Sequence, residues 1–440
     1  MKRIVASVGL VAVGASSLQA ASLPGMTAES GKPWSLSATL RGFYDDNVST
    51  LPDDFVLPAG AHRDSYGIEV SPSLQFVFPW EQTTLSFGYV YSMKYYDTKP
   101  AFETDHYDHT HNFSAALSHA FSERYSVRLR DSFVIGQEPD FLRAGNSYNS
   151  FQRISGDNVR NFGSIDFSAQ MTPKFGVEVG YANTLYDYEE DDYTIAAGPT
   201  VIPSTSGLSD YMDHVAHLDG RYQLLPQTVG VLGFQYRDTD YTADQEIWWD
   251  PTRNSFAKSD FRNARSYYGY AGLDHNFRPD LTGSFRAGGR YTEYYHNPAG
   301  QDTASPYVMA NLQYIYAPGS HIQVGASYDY SATSTYQFRP DLTTGDLTLN
   351  ANSFSIFGAV THRITPKLYG TVIGQYQNST YYGGESDGEA DNFYTVGVNL
   401  QYRFTPNFSA EFGYNFDKLD SDIQNTYDRN RVYIGVTGTY

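Results

Sequence analysis

The stretch RNRVYIGVTGTY, residues 429–440, ends the sequence and indicates its fold. Val432, Ile434, Val436, Gly438 and Tyr440 occupy alternate positions, while polar residues such as Arg431, Thr437 and Thr439 fill most of the positions between them. A period of two places the apolar side chains on one face of a β-strand. The chain therefore finishes inside a strand, on an aromatic residue, and the rest of the sequence must supply that strand with neighbours.

The same alternation recurs along the chain from Trp34 onward, in about 18 segments. In the first segment Trp34, Leu36, Leu40 and Tyr44 share one face. Eight short turns, such as FPWEQ and MTPKF, alternate with nine long polar loops, and seven of the eight turns contain proline. Proline fixes φ for a tight turn and interrupts the hydrogen-bond ladder of a sheet. An even number of strands follows, with both termini on the side of the short turns.

This arrangement predicts an all-β fold: a single closed transmembrane antiparallel β-barrel of about 18 strands, with short periplasmic turns and long extracellular loops. Closure is required in lipid, because an open sheet edge would leave unpaired N–H and C=O groups in hydrocarbon. We expect the last strand to pair with the first. The end of the chain then lies in a periplasmic aromatic girdle formed by Tyr440 with Phe78, Phe121, Phe277, Phe404 and Phe408. A soluble β-sandwich or propeller is the alternative, but neither explains so many Tyr, Phe and Leu residues on outward faces.

The N-terminus predicts export. Lys2 and Arg3 precede an apolar run and the small residues of SLQA, which is typical of a signal peptide over residues 1–20. A short periplasmic segment (21–33) and the barrel (34–440) follow, and the segment is too short for a plug domain. The absence of cysteine leaves no disulfides to brace the fold. We expect the mature protein in the outer membrane of a Gram-negative-type bacterium.

The formal charge of −19 argues against nucleic acid as a partner, because phosphate binding needs a basic surface. The expected partners are outer-membrane lipid and lipopolysaccharide. The acidic runs YEEDDY, RDTDYTADQE and GGESDGEAD all fall in long loops, where solvation explains them.

The first strand and its exit, LRGFYDDNV (residues 40–48), resemble the opening of the putative beta-barrel porin 2 family. The resemblance implies a large outer-membrane barrel that accompanies exopolysaccharide systems and works with a periplasmic polysaccharide-export protein. The terminal strand also resembles the signal that the outer-membrane barrel assembly machinery recognises. Its residues of interest are Val432, Ile434, Val436 and Tyr440.

The face opposite the apolar one should line the lumen, and it carries charges of both signs together with tyrosines. Charged rings of this kind select ions and orient polar solutes in channels, and Arg forms forked hydrogen bonds. The alternative is that these charges pair with one another and brace the barrel. The candidate lumen residues are Arg41, Glu69, Arg128, Arg130, Glu178, Arg237, Tyr268, Tyr270, Arg286, Arg290 and Arg431.

No catalytic residue, cofactor or metal site is expected. The run TDHYDHTH contains His106, His109 and His111, but it lacks the spacing of an established metal motif. Asp131 takes the lipid-facing position near the middle of its strand, where a carboxylate is costly. Its position predicts a bulge there or a shifted strand boundary.

The sequence thus predicts an outer-membrane channel that passes hydrophilic solutes or polysaccharide, associated with exopolysaccharide export. A general diffusion porin is one alternative. A structural or adhesive barrel whose lumen is closed by loops is another, and the loops 187–210 and 239–259 are long enough to close it.

Overall fold

The computed structural model describes residues 32–99, 105–137, 158–191, 194–195, 201–250, 253–297, 302–331, 333, 336–337, 346–383, 386–423 and 426–440. The expected signal peptide and most of the expected periplasmic segment lie outside these residues. Among the residues described, no helix combines the length and the apolar character needed to cross a membrane.

Eighteen antiparallel strands form one closed sheet, which confirms the predicted fold class. Each strand pairs with the next barrel strand along the chain, so that the sheet is a simple meander. The barrel strands are β1 (Trp34–Asp45), β2 (Ser65–Pro79), β3 (Thr83–Tyr96), β4 (Tyr107–Ala120), β5 (Tyr125–Gly136), β6 (Asn158–Gln170), β7 (Phe175–Tyr188), β10 (Tyr211–Leu225), β11 (Thr228–Tyr241), β14 (Ala264–Arg278), β15 (Leu281–Glu293), β16 (Thr303–Ala317), β17 (Ser320–Ser331), β20 (Asn350–Arg363), β21 (Leu368–Tyr382), β22 (Ala390–Thr405), β23 (Phe408–Ser421) and β24 (Tyr427–Thr439).

The remaining elements lie in the long loops and were not predicted from the sequence. Within the described parts of these loops they form three two-stranded sheets, one short α-helix and one 3₁₀ turn. They are β8 (Thr194–Ile195), β9 (Val201–Ile202), α1 (Thr205–Ser209), β12 (Glu246–Asp250), β13 (Ser255–Lys258), the 3₁₀ turn Ser259–Arg262, β18 (Tyr336–Gln337) and β19 (Asp346–Leu347).

The barrel closes where β1 pairs with β24, as the last strand of the sequence predicts. The Cα partners run from Asp45 opposite Arg431 to Ser37 opposite Thr439. Two further backbone hydrogen bonds join Leu36 and Tyr440, with N···O distances of 3.1 and 2.8 Å. Among the described strands, no edge of the barrel sheet is therefore left open. Strand pairing thus satisfies the backbone N–H and C=O groups, which could form no hydrogen bond with lipid.

The outer face is apolar along the strands. Leu40, Leu232 and Ile434 have 51, 73 and 66% of their surface exposed, as residues facing lipid should. At the end that carries the short turns, the Tyr440 ring lies 5.7 Å from the Trp34 ring. Exposed aromatic residues flank the neighbouring turns, and they include Phe121, Phe277, Phe404 and Phe408.

Asp131 does face outward, and the expected bulge or boundary shift is wrong. The register of β5 is unbroken on both sides, with Asp131 opposite Ala115 of β4 and Gly163 of β6. The Asn161 side chain, also on the outer face, donates a hydrogen bond of 3.2 Å to the Asp131 carboxylate. A side-chain amide thus partly compensates the carboxylate.

Candidate functional site: the barrel lumen

Strand parity turns the charged side chains away from the apolar outer face, and they form ion-pair networks between strands. In the first network Arg41 of β1 donates from Nε to Glu411 of β23 at 2.7 Å and from Nη1 to Glu69 of β2 at 3.2 Å. Glu69 also accepts hydrogen bonds from Ser71 and Ser92 at 2.8 and 3.0 Å. Arg41 therefore joins three strands next to the closing seam.

A second network alternates in charge around the wall. Arg128 Nη2 lies 3.6 Å from Glu178, and Glu178 lies 3.9 Å from Arg221 Nη1. Arg221 donates to Asp274 at 2.6 Å, and Asp274 also pairs with Arg286 at 2.8 Å. The five residues come from β5, β7, β10, β14 and β15. Their charges are largely neutralised within the network. The network therefore links the strands of the wall to one another as well as lining the lumen.

A third group surrounds the ring of Tyr330. The guanidinium groups of Arg237 and Arg290 lie 5.2 and 5.1 Å from the ring centroid. Arg237 pairs with Asp213, and Arg290 lies 3.5 Å from Asp329. These two arginines are thus held by carboxylates and by a cation–π contact.

Two arginines of β24 pair with carboxylates near the seam. Arg431 donates to Asp417 at 2.5 Å, and Asp417 accepts a second hydrogen bond from Thr395 at 2.7 Å. Arg429 binds both oxygens of Asp45 across the seam at 2.5 to 3.1 Å.

Tyr268 and Tyr270 of β14 face inward and pack on Tyr307 of β16, with ring centroids 5.4 and 5.5 Å apart. The Tyr270 hydroxyl donates to Asp219 at 2.7 Å. Tyr268 is 1% exposed and Tyr270 is 8% exposed. Both rings pack within the wall, and little of their surface is left to stack on a solute.

Several side chains of β4, β5 and β6 are open to the lumen. Ser114, Ser118 and Arg130 are exposed, and Arg128 and Ser164 are half-buried. Arg130 faces inward because it lies opposite Ala116 and Ser164, one position away from lipid-facing Leu129. It has no carboxylate partner in the part of the chain that the structure describes. We call Ser114, Ser118, Arg128, Arg130 and Ser164 the serine–arginine wall.

The long loops above β7 to β20 pack against one another. Their buried cluster contains Leu208 of α1, Ile247 of β12, Ala257, Phe261, Ala264, Tyr294 and Leu349. Arg262, which is fully buried, donates to the Leu208 carbonyl at 2.7 Å and to the Thr333 carbonyl, and it stacks over Tyr241 at 4.2 Å. Parts of the two loops that were expected to be long enough to close the lumen thus pack into one buried cluster with Ala264, an inward-facing residue at the end of β14, and we call this cluster with α1 the cap.

Asp210 lies in this cap, just after α1. Burial and the nearby Asp187 and Asp191 carboxylates raise its pKa to about 7, although the N–H of Tyr188 donates a hydrogen bond of 2.8 Å that favours the ionised form. The cap therefore contains a carboxyl group that changes charge near neutral pH.

The histidines of TDHYDHTH do not come together as a metal site. His109 and His111 point to the outer face, where they contact the hydroxyls of Tyr91 and Tyr89 at 2.8 and 3.0 Å. His106 instead contacts the carbonyl of Tyr96 at 2.8 Å. His109 and His111 thus belong to a band of aromatic side chains on the outer face of the barrel.

Sequence reasoning missed inward residues that complete the networks, chiefly Arg221, Arg429, Asp166 and His217. Each lies at an inward-facing position of its strand, and Arg429 is two positions from the candidate Arg431. The signal was present in the alternation, but the partners across strands emerge only from the register.

Residues 249–440 match the family model described as Putative beta-barrel porin 2. This match confirms the resemblance predicted from the sequence, over the C-terminal strands. The chain is a porin-like outer-membrane barrel, which its closed fold, its apolar exterior and this match together support. Nothing in the match indicates catalysis.

No curated protein sequence matches the chain. Solved structures similar to it include OpdK of Pseudomonas aeruginosa with vanillate, at 13% identity over 92% of this chain and 99% of that chain, with a TM-score of 0.42. OccAB4 of Acinetobacter baumannii is 12% identical over 93% of this chain and 99% of that one, with a TM-score of 0.43. At these values the likeness carries no information about the solute of this chain.

Proposed function

We propose that the protein is an outer-membrane channel for hydrophilic solutes, and that the serine–arginine wall is the surface they contact. The observation that carries the proposal is the difference between this wall and the rest of the lumen. The other candidate arginines, including Arg128 of the same wall, lie beside carboxylates, whereas Arg130 is exposed and lies among serine hydroxyls.

The chemistry of the wall favours polyhydroxylated and anionic solutes. Arginine stays ionised and donates forked hydrogen bonds to carboxylates and hydroxyls, and serine both donates and accepts. Segments of an acidic polysaccharide present these groups repeatedly. Association with exopolysaccharide export, through a periplasmic polysaccharide-export protein, rests on the family resemblance, and a general diffusion porin remains the close alternative.

Single-channel conductance in a planar lipid bilayer tests the proposal. We expect stable openings of the refolded chain that uronic-acid oligosaccharides block from solution. Arg130→Gln should weaken the block by roughly ten- to a hundredfold, since a charge-assisted hydrogen bond contributes about 1.5–3 kcal/mol. The matched control is Arg124→Gln, which removes the same charge from an exposed position in the turn between β4 and β5.

Three results would count against this function in different ways. Openings that no oligosaccharide blocks favour a general diffusion porin. Equal effects of Arg130→Gln and Arg124→Gln remove the serine–arginine wall from solute binding. A folded barrel without conductance points to a lumen closed by the loop cap, as a structural or adhesive barrel would have.

A further inference from the structure

Three ionisable side chains meet on the lumen face of β6, β7 and β10, outside the candidate residues discussed above except for Glu178. They are Asp166, Glu178 and His217, and their ligand atoms all lie within 4.8 Å of one another. The barrel register brings them together: Asp166, Gly180 and His217 are direct cross-strand partners in a row, and Glu178 lies two positions from Gly180 on β7.

His217 is the unusual member of the group. Its side chain is 1% exposed, yet neither ring nitrogen has a hydrogen-bond partner among the described residues. A buried polar group without a hydrogen bond destabilises the fold unless a ligand satisfies it. Its Nε2 lies 3.8 Å from Asp166 Oδ1, too far for a hydrogen bond. Glu178 Oε1 is also buried without a hydrogen bond.

Gly180 makes the space for this arrangement. A Cβ atom at position 180 would collide with Cε1 of His217, and it would lie 2.6 Å from Asp166 Oδ1 and 2.7 Å from His217 Nε2. Any side chain there would therefore fill the gap between the imidazole and the carboxylate. The absence of a side chain at position 180 thus leaves room for the imidazole of His217 beside the Asp166 carboxylate.

We propose that Asp166, Glu178 and His217 bind one divalent transition-metal ion, such as Zn²⁺. One imidazole nitrogen and two carboxylate oxygens form a donor set that such ions accept. Ligands around a tetrahedral Zn²⁺ are about 3.3 Å apart, so shifts of about an ångström complete the geometry. The Asp166 side chain is 15% exposed, so the ion enters from the lumen and water fills the remaining positions.

Two arginines set the affinity of this site. Arg128 Nη2 lies 3.6 Å from Glu178 Oε1, and Arg221 Nη1 lies 3.9 Å from Glu178 Oε2. Both compete with a cation for the same carboxylate. A metal site therefore makes a prediction that a merely structural cluster does not: removing Arg128 should tighten metal binding, although it takes away an ion pair.

Isothermal titration of the metal-free, tag-free refolded chain with ZnCl₂ tests the proposal, and it needs no channel activity. We expect one Zn²⁺ per chain, at least tenfold weaker binding in His217→Asn and in Gly180→Ala, and tighter binding in Arg128→Gln. The control is His214→Asn, on the same strand but on the outer face, where its ring contacts Tyr181. It should bind like the unmodified chain.

No Zn²⁺ bound by the folded chain would overturn the proposal, as would unchanged affinity in His217→Asn. If His217→Asn fails to fold, Asp166→Asn decides in its place, because it removes a ligand from a half-buried position. MgCl₂ serves as the second probe. Binding of Mg²⁺ as tight as that of Zn²⁺ would also contradict a site in which imidazole is a ligand.

Discussion

The ion pair between Arg429 and Asp45 should be one of the strongest single determinants of barrel stability, because it lies across the closing seam. The two side chains are 2 and 3% exposed, and Arg429 donates from both Nε and Nη2 to the carboxylate. In Arg429→Met the buried Asp45 keeps the backbone N–H of Asn47, at 3.1 Å, as a remaining partner. Removing one member of a buried pair costs about 3–5 kcal/mol.

This loss corresponds to roughly two to four powers of ten in the folded-to-unfolded ratio. Urea unfolding of the refolded chain, followed by tryptophan fluorescence, measures it. Asp45→Leu combined with Arg429→Met should recover at least half of the loss, since the double variant buries no unpaired charge. The control is Lys418→Met, which breaks an exposed pair with Asp428 at 3.8 Å and should cost about 1 kcal/mol or less.

A loss below 1 kcal/mol for Arg429→Met would refute the reasoning, because the carboxylate would then have to be solvated or otherwise compensated. Additive losses in the double variant would refute it as well. They would show that the two side chains contribute independently and not through their contact.

Three further predictions concern the lumen, the cap and the outer face. Arg41→Gln removes one positive charge beside two carboxylates. The Coulomb interaction of that charge with a monovalent ion in water is about 0.4 kcal/mol at a separation of about 10 Å. The permeabilities to cations and to anions should therefore each change about twofold, in opposite directions, and the reversal potential measures this change. Stability that neutral Asp210 contributes is fully present below pH 3.8 and is lost as pH rises through about 7, so the amide protection factors around α1, which correct for the faster intrinsic exchange at high pH, should be lower at pH 8.5 than at pH 5.5, and Asp210→Asn should abolish this difference in protection. Asp131→Leu should stabilise the barrel in lipid vesicles by about 1–2 kcal/mol in urea unfolding, and a destabilised variant would show that the Asn161 contact outweighs desolvation.

The barrel could be predicted from sequence because the alternation within each strand shows which of its faces points to lipid and which to the lumen. Period two separates residues such as Leu40 and Arg41 onto opposite faces, and proline marks the short turns that fix the strand order. The pairing of β1 with β24 also followed, since a closed meander leaves these two strands no other partner. All of this information is local or follows from closure.

The candidate lumen residues were predictable as inward-facing, but their partners were not. Glu178 meets Arg221 and His217 only because the strands tilt and the register sets which side chains lie side by side. The loops were less predictable still. Arg262 is fully buried, and it donates hydrogen bonds to carbonyls of two other loops. Its burial could not be predicted, because in the sequence it is a charged residue within a polar loop.

The seam between β1 and β24 also governs the order of assembly. Thr39 and Thr437, whose hydroxyls are 2.9 Å apart, are separated by 398 positions, whereas every other barrel pairing joins consecutive strands. Neighbouring hairpins can form early because their loop closure is cheap, and the seam comes last. Until then the sheet has two free edges that are complementary to each other within one chain and between chains. A variant that delays closure should therefore accumulate strand-exchanged dimers. By pairing with β1 of the same chain, the last few residues prevent pairing between chains as well as completing the barrel.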